Sequence, residues 1–186
     1  MKNNILPAII LTLCCIVFFS GVYTVAMLGI AQFAPNRGKG EIINSDGNRY
    51  YVNIGQKFTD DKYFWSRPSA VDYNGAGSGG SNKGPTNPEY LAQVQARIDT
   101  FLAHNPGIKK SDIPSELVTA SGSGQDPHLS PEGAMVQVSR IANTRNIQEE
   151  KLVSLINQYT EKPLLNLFGT TKVNVLKLNI ALDDLK

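Results

Sequence analysis

From Ile5 to Phe33 the chain reads ILPAIILTLCCIVFFSGVYTVAMLGIAQF, and no Asp, Glu, Lys or Arg occurs between Asn3 and Asn36. An α-helix rises about 1.5 Å per residue and a bilayer core is about 30 Å thick, so this run is long enough to cross a membrane. Beyond Arg37 the composition is that of an ordinary water-soluble domain. The expected organisation is a tail and transmembrane helix over residues 1–36, spanning about 8–32, then one domain over residues 37–186. A cleaved signal peptide has an apolar core of roughly 7–15 residues before an Ala-x-Ala site. This run is longer and no such site follows it, which favours a retained anchor. Lys2 and the α-amino group stand on one side of the anchor, Arg37 and Lys39 on the other, so the positive-inside rule nearly ties. A tail this short is expected to stay cytoplasmic, which places the domain outside. Gly21 and Gly29 either meet another membrane helix or reflect how common small residues are in spanning helices.

The bulk numbers narrow the function. A formal net charge of +2 over 186 residues is no basic footprint for nucleic acid. Both cysteines, Cys14 and Cys15, lie in the apolar run, so a disulfide framework or Cys-based zinc site is not expected in the domain. What remains after the anchor, roughly 150 residues, suits one compact domain.

Residues 34–48, rich in Gly, Asn and Pro, read as an exit linker. Tyr50-Tyr51-Val52-Asn53-Ile54 reads as a strand. Residues 74–87 form a long glycine-rich loop without apolar period. Asn87-Pro88-Glu89 predicts a helix start, with Leu91, Val94, Ile98, Phe101 and Leu102 at helical spacing and a stop at His104-Asn105-Pro106-Gly107. A second small-residue loop runs over residues 120–128. Ser130-Pro131-Glu132 predicts another helix, burying Ala134, Val138, Ile141 and Ala142. Asn146 and Glu149 resemble a capping box opening a third, with Leu152, Leu155, Ile156 and Tyr159. Val173-Asn174-Val175 and Leu176-Lys177-Leu178-Asn179 alternate as a strand does. Helices and short strands in mixed order predict an α+β class.

Motifs for catalysis fail one by one. Gly75-x-Gly77-x-x-Gly80 follows no convincing strand and opens no helix. Gly79 to Gly84 has P-loop spacing, but Pro85 stands where the lysine must be. There are two histidines, His104 and His128, and neither belongs to a His-Glu-x-x-His. His104 reads as a solvated helix cap and His128 as a hydrogen-bonding loop residue. Asp126 either meets a cation or a partner's arginine, or makes an Asx turn ahead of Ser130. Arg67 either stacks on Trp65 and offers its fork to a carboxylate, or is a surface arginine stiffened by Pro68.

Four strings carry a resemblance: residues 64–70 (Phe64-Trp65-Ser66-Arg67-Pro68-Ser69-Ala70), residues 78–88, residues 118–131 and residues 173–179. In order and spacing they are similar to the C subunit of the Kdp-type potassium-transporting ATPase of bacteria, over essentially the whole chain including the single anchor. Gln125 stands where an apolar residue is commoner in that family. The resemblance implies a non-catalytic accessory subunit of an ATP-driven potassium uptake complex in the inner membrane. Its partners are a potassium-binding channel-like subunit and a P-type ATPase subunit. The family is described as a catalytic chaperone that raises the pump's affinity for ATP, so the implied nucleotide is ATP, held with the catalytic subunit. Ser78, Gly79, Gly80 and Ser81 are the candidate nucleotide contacts, and no metal site is expected. Gly21, Gly29, Trp65, Arg67, Ser123, Asp126 and His128 are the candidate partner contacts. An external domain has no access to ATP, so docking and stabilisation is the preferred reading. The alternatives are a stand-alone anchored envelope binding protein or hydrolase, and a structural envelope module.

Overall fold

A computed structural model describes residues 4–45 and 47–185; Lys2, the basic residue ahead of the apolar run, lies outside the described residues. The chain divides into two compact units, Met1–Ile42 and Ile43–Lys186.

In the first unit a helix runs over Ile5–Ala31, none of it buried, long and apolar enough to cross a membrane. Two α-helical stretches, α1 (Ile5–Ile16) and α2 (Thr24–Ala31), flank a π-helical segment, Val17–Tyr23. A π turn widens the hydrogen-bond ladder by one residue. The Thr24 hydroxyl donates to the Phe19 carbonyl at 3.1 Å, supplying a partner inside that widened turn. Gly21 and Gly29 both sit in this helix with open space where a side chain would project.

The second unit is α+β. A hairpin of β1 (Ile42–Ser45) and β2 (Asn48–Tyr51) leads into a long stretch, residues 52–87, without helix or strand. Then come α3 (Pro88–His104), β3 (His128–Leu129), α4 (Pro131–Met135), α5 (Val138–Arg145), α6 (Glu149–Tyr159), β4 (Thr160–Glu161), β5 (Lys172–Asn174) and α7 (Val175–Asp183). The three short strands form an antiparallel sheet in the order β3-β5-β4, with His128 opposite Asn174 and Thr160 opposite Val173. Phe64, Ile141, Leu152, Ile156, Leu178 and Leu182 fill the core between the helices and this sheet.

The predicted helix starts hold. The Asn87 side chain accepts from the Tyr90 N–H at 2.9 Å, and the Ser130 hydroxyl from the Gly133 N–H at 3.0 Å. Ala134, Val138, Ile141 and Ala142 are all buried as their spacing predicts. Three expectations fail. Residues 175–179 are helix rather than strand, because the Asn174 side chain accepts from the Lys177 N–H at 3.1 Å and caps α7. The capping box at Asn146 does not form: Asn146 takes a left-handed conformation at φ 55° and ends α5, and α6 opens after Gln148 without a side-chain cap. The supposed linker holds a strand, β1, and the strand beside it ends at Tyr51 rather than Ile54.

Buried side-chain amides fix the irregular stretch to the core. The Asn179 side chain accepts from the Phe64 N–H and donates to the Phe64 carbonyl, both at 2.9 Å, with 1% of Asn179 exposed. Gln137, fully buried, accepts from the Trp65 N–H at 2.7 Å. Asn174 donates to the Val52 carbonyl at 2.8 Å. Replacing Asn179 by Ala strands two buried backbone groups, each costing about 1–3 kcal/mol. In urea unfolding of the full chain in mild detergent, followed by Trp65 fluorescence, Asn179→Ala is expected to lose about 2–4 kcal/mol of stability.

Candidate functional site

The two glycine-rich loops, residues 71–87 and 120–128, fold onto each other. The Gly79 N–H and the Ser78 hydroxyl both donate to the Ser123 carbonyl, at 2.9 and 3.0 Å. The Gly55 N–H donates to the Gln125 carbonyl at 2.8 Å, and the Ser121 N–H to the Pro68 carbonyl at 3.1 Å. The Ser69 hydroxyl donates to the Gly124 carbonyl at 2.7 Å and accepts from the Tyr73 N–H at 2.9 Å. The Gln125 amide donates across the loops to the carbonyls of Asn74 and Gly77. Three of these contacts are backbone against backbone, and at Gly55 and Gly124 the approach leaves no room for a side chain. A Cβ at Gly124, where φ is +68°, would lie 2.5 Å from the Val71 side chain and 2.8 Å from the Gly79 carbonyl. At Gly55 it would lie 2.8 Å from the Asp126 carbonyl. Glycine is needed for close approach at both, and also for the backbone conformation at Gly124.

At one edge of this clasp stands a charged pair. The Arg67 guanidinium donates to the Asp126 carboxylate at 2.7 Å, with the side chains 23% and 29% exposed. The other Asp126 oxygen accepts from the His128 N–H at 3.0 Å, an Asx turn, and lies 3.4 Å from His128 Nδ1. Burial pushes the Asp126 carboxyl up; hydrogen bonds from the His128 side chain and backbone, with the Arg67 charge, outweigh it and hold it below its ordinary value. Two buried polar atoms here, Arg67 Nε and Gln125 Oε1, have no hydrogen-bond partner among the described residues.

Of the two readings of Arg67, its fork does reach a carboxylate, but Trp65 stacks on a different cation. Arg140 lies over the Trp65 ring at 4.6 Å, and Phe101 and His104 meet that ring edge-on. Arg140 is 6% exposed and donates to Asn105, to the Asp61 carbonyl and to Gln137. Burial draws its guanidinium down to about 10 against the pull of Asp61 and Asp60, so it stays charged at neutral pH. His104, exposed in the last turn of α3 as expected, also pairs with Asp61 at 2.8 Å.

The fold therefore gathers Ser78, Gly79, Gly80, Arg67, Ser123, Asp126 and His128 about the clasp, and Ser81 follows Gly80 in the same loop. Trp65 belongs to the neighbouring Arg140 cluster, and Gly21 and Gly29 to the other unit. Sequence reading missed Gly55, Ser69 and Gln125 as clasp residues, since their partners lie some 50 or more positions away along the chain. A cleft of about 310 Å³ opens beside Trp65, lined by Phe58, Tyr73, Arg97 and Phe101 among others. Among the described residues no group of three His, Cys, Asp or Glu is placed to hold a metal ion.

A family model described as "KdpC: K+-transporting ATPase, c chain" matches residues 5–184. A protein named "Potassium-transporting ATPase KdpC subunit" from Flavobacterium psychrophilum is 56% identical over 185 residues, covering 99% of this chain and 100% of the relative. Proteins of the same name from Bacteroides fragilis and Caldanaerobacter subterraneus are 52% and 45% identical, covering 99% and 98% of this chain and 98% and 95% of the relatives.

Gly124→Ala is expected to destabilise the domain by about 1–3 kcal/mol through overlap and a left-handed backbone. Gly77→Ala, with nothing within 4 Å of the new methyl, is expected to stay within about 0.5 kcal/mol of the parent. Thermal melting of the two variants side by side checks both. Asp126 titrates lower in the folded chain than in the unfolded one, so it stabilises above the ordinary carboxylate range and loses that effect as pH falls through its folded value. The stability gap between parent and Asp126→Asn, about 1–2 kcal/mol at neutral pH, is expected to close steadily below about pH 5 in unfolding titrations.

Proposed function

The chain belongs to the KdpC family, the c chain of K+-transporting ATPases, and is thus a subunit of the Kdp potassium ATPase complex; from that premise we propose that it is a single-pass accessory subunit whose domain docks on its partners through the clasp. The carrying observation is the clasp itself: residues 78–79 and 121–126 are held to each other and to residues 55 and 67–69, which gives the domain a fixed loop surface. Docking a pre-formed surface avoids the entropic cost of ordering loops on contact. The orphaned Arg67 Nε and Gln125 Oε1 lie buried beneath the clasp, and unpaired buried polar atoms of this kind are few in folded proteins.

In this reading residues 1–36 anchor the chain in the bacterial inner membrane with the N-terminus cytoplasmic, and residues 37–186 stand outside. The partners are a potassium-binding, channel-like subunit and a P-type subunit that hydrolyses ATP. Gly21 and Gly29, open on the anchor surface, give neighbouring membrane helices a place of close approach. Support for ATP affinity runs through these contacts as coupling free energy. Direct nucleotide contact at residues 78–81 is disfavoured because the Gly79 N–H and Ser78 hydroxyl, donors a phosphate would need, are already given to Ser123.

The aromatic cleft beside Trp65 favours a second reading, an anchored binding protein that works alone. Co-purification separates the two. In mild detergent the pump subunits are expected to come down with the full chain, and Asp126→Lys, which sets two cations against each other, is expected to lower their recovery severalfold. Equal recovery with the variant would refute clasp docking, and a chain purified without pump subunits would favour the second reading.

A further inference from the structure

Residues 163–169, Pro-Leu-Leu-Asn-Leu-Phe-Gly, join β4 to β5 and stand out from the core. Leu164, Leu165, Leu167 and Phe168 are 71%, 74%, 78% and 64% exposed. Outside the anchor, no other described stretch of the chain exposes four large apolar side chains within five residues. A cluster of this kind on a domain surface marks a contact site.

The geometry points to the lipid bilayer as the occupant: we propose that this loop dips into the membrane interface and acts as a second, reversible foothold for the domain. The proposal rests on the anchored reading above but not on docking to any subunit. Three observations favour lipid. First, the loop pairs four of its own N–H groups internally. Leu164 and Phe168 exchange N–H to carbonyl bonds at 3.0 Å, the Asn166 N–H donates to Pro163, and the Leu167 N–H donates to Leu164. Pairing within the turn lowers the cost of carrying these peptide groups into an apolar medium. Second, Leu165 and Asn166 take left-handed backbone at φ 54° and 57°, a conformation that a leucine adopts at a cost. That cost closes a convex tip yet buries none of its leucines in the domain. Third, charge is arranged by depth. Lys162 and Lys172 flank the base, where anionic headgroups would lie, and the tip holds no charge. Lys172 also lies 3.7 Å from Glu161, which keeps the acid at the base engaged.

A short tether joins domain and anchor. Residues 32–41 separate α2 from β1 and extend to about 35 Å at most, comparable to the width of a domain of this size. Because anchor and domain are one chain, a weak apolar contact with the same bilayer acts at raised effective concentration.

The test uses the full chain in nanodiscs of phosphatidylethanolamine and phosphatidylglycerol. Cys14→Ala and Cys15→Ala clear the native thiols, and Leu167→Cys carries an environment-sensitive fluorophore. Ser111→Cys, on an exposed turn of the same domain, is the control. Lipids with brominated acyl chains are expected to quench the Leu167 probe severalfold more than the Ser111 probe. Replacing phosphatidylglycerol by phosphatidylcholine is expected to weaken that quenching. A Leu165→Cys probe repeats the measurement in case the first label disturbs the tip. Quenching at both tip positions no greater than at Ser111 overturns the proposal. So does shielding that appears only when pump subunits are added and remains insensitive to bromine, since that would be a protein socket. A chain that fails to enter nanodiscs overturns the anchored reading as well.

Discussion

Thirty-odd residues between β2 and α3 have no helix or strand to pair their peptide groups, and three buried amides tie four of those groups to the core. Asn179 takes both polar groups of Phe64, Gln137 takes the N–H of Trp65, and Asn174 takes the carbonyl of Val52. All three are at most 2% exposed. A buried unpaired amide costs on the order of 1–3 kcal/mol, so each of these bonds decides whether its stretch of backbone lies against the core or leaves it. Phe64, fully buried, then fills the core between α5, α6 and α7. Its neighbour Trp65 covers Arg140, whose guanidinium is held by Asn105, Gln137 and the Asp61 carbonyl.

With residues 52–70 fixed, the glycine loops inherit a fixed base. Pro68 and Ser69 pair with Ser121 and Gly124, and Arg67 with Asp126. Glycine content, which in isolation signals mobility, here permits backbones to touch. The clasp is the consequence of that packing, and in the proposed docking it is a surface whose shape is set before any partner arrives. A rigid face suits a subunit that stays in its complex, because little conformational entropy is spent on association.

Much of this was legible in the sequence, for physical reasons that differ by element. The apolar helix announces itself through a total absence of charge from Asn3 to Asn36. The starts of α3 and α4 follow from Asn87-Pro88 and Ser130-Pro131, since caps are local chemistry. α7 was hidden because Leu176-x-Leu178 fits a two-residue period, while the cap at Asn174 that settles the matter looks like one more strand residue. Asn146 offered the same side chain to two roles, and the left-handed turn ending α5 took it. The clasp could not be read locally at all, for it joins positions from 45 to 70 residues apart. Yet the strings that carried the family resemblance, residues 64–70, 78–88 and 118–131, are those that fold into it. The apolar tip at residues 163–169 escaped notice because it obeys no period.

The central claim is that the irregular half of the domain is as firmly held as the helices. Hydrogen exchange of the full chain tests it directly, residue by residue, at the N–H groups of Gly55, Phe64, Trp65 and Gly79. Protection of these four approaching that of Ile156 in the middle of α6 is the predicted result. Exchange at rates typical of an open glycine loop, with α6 still protected, would contradict the account.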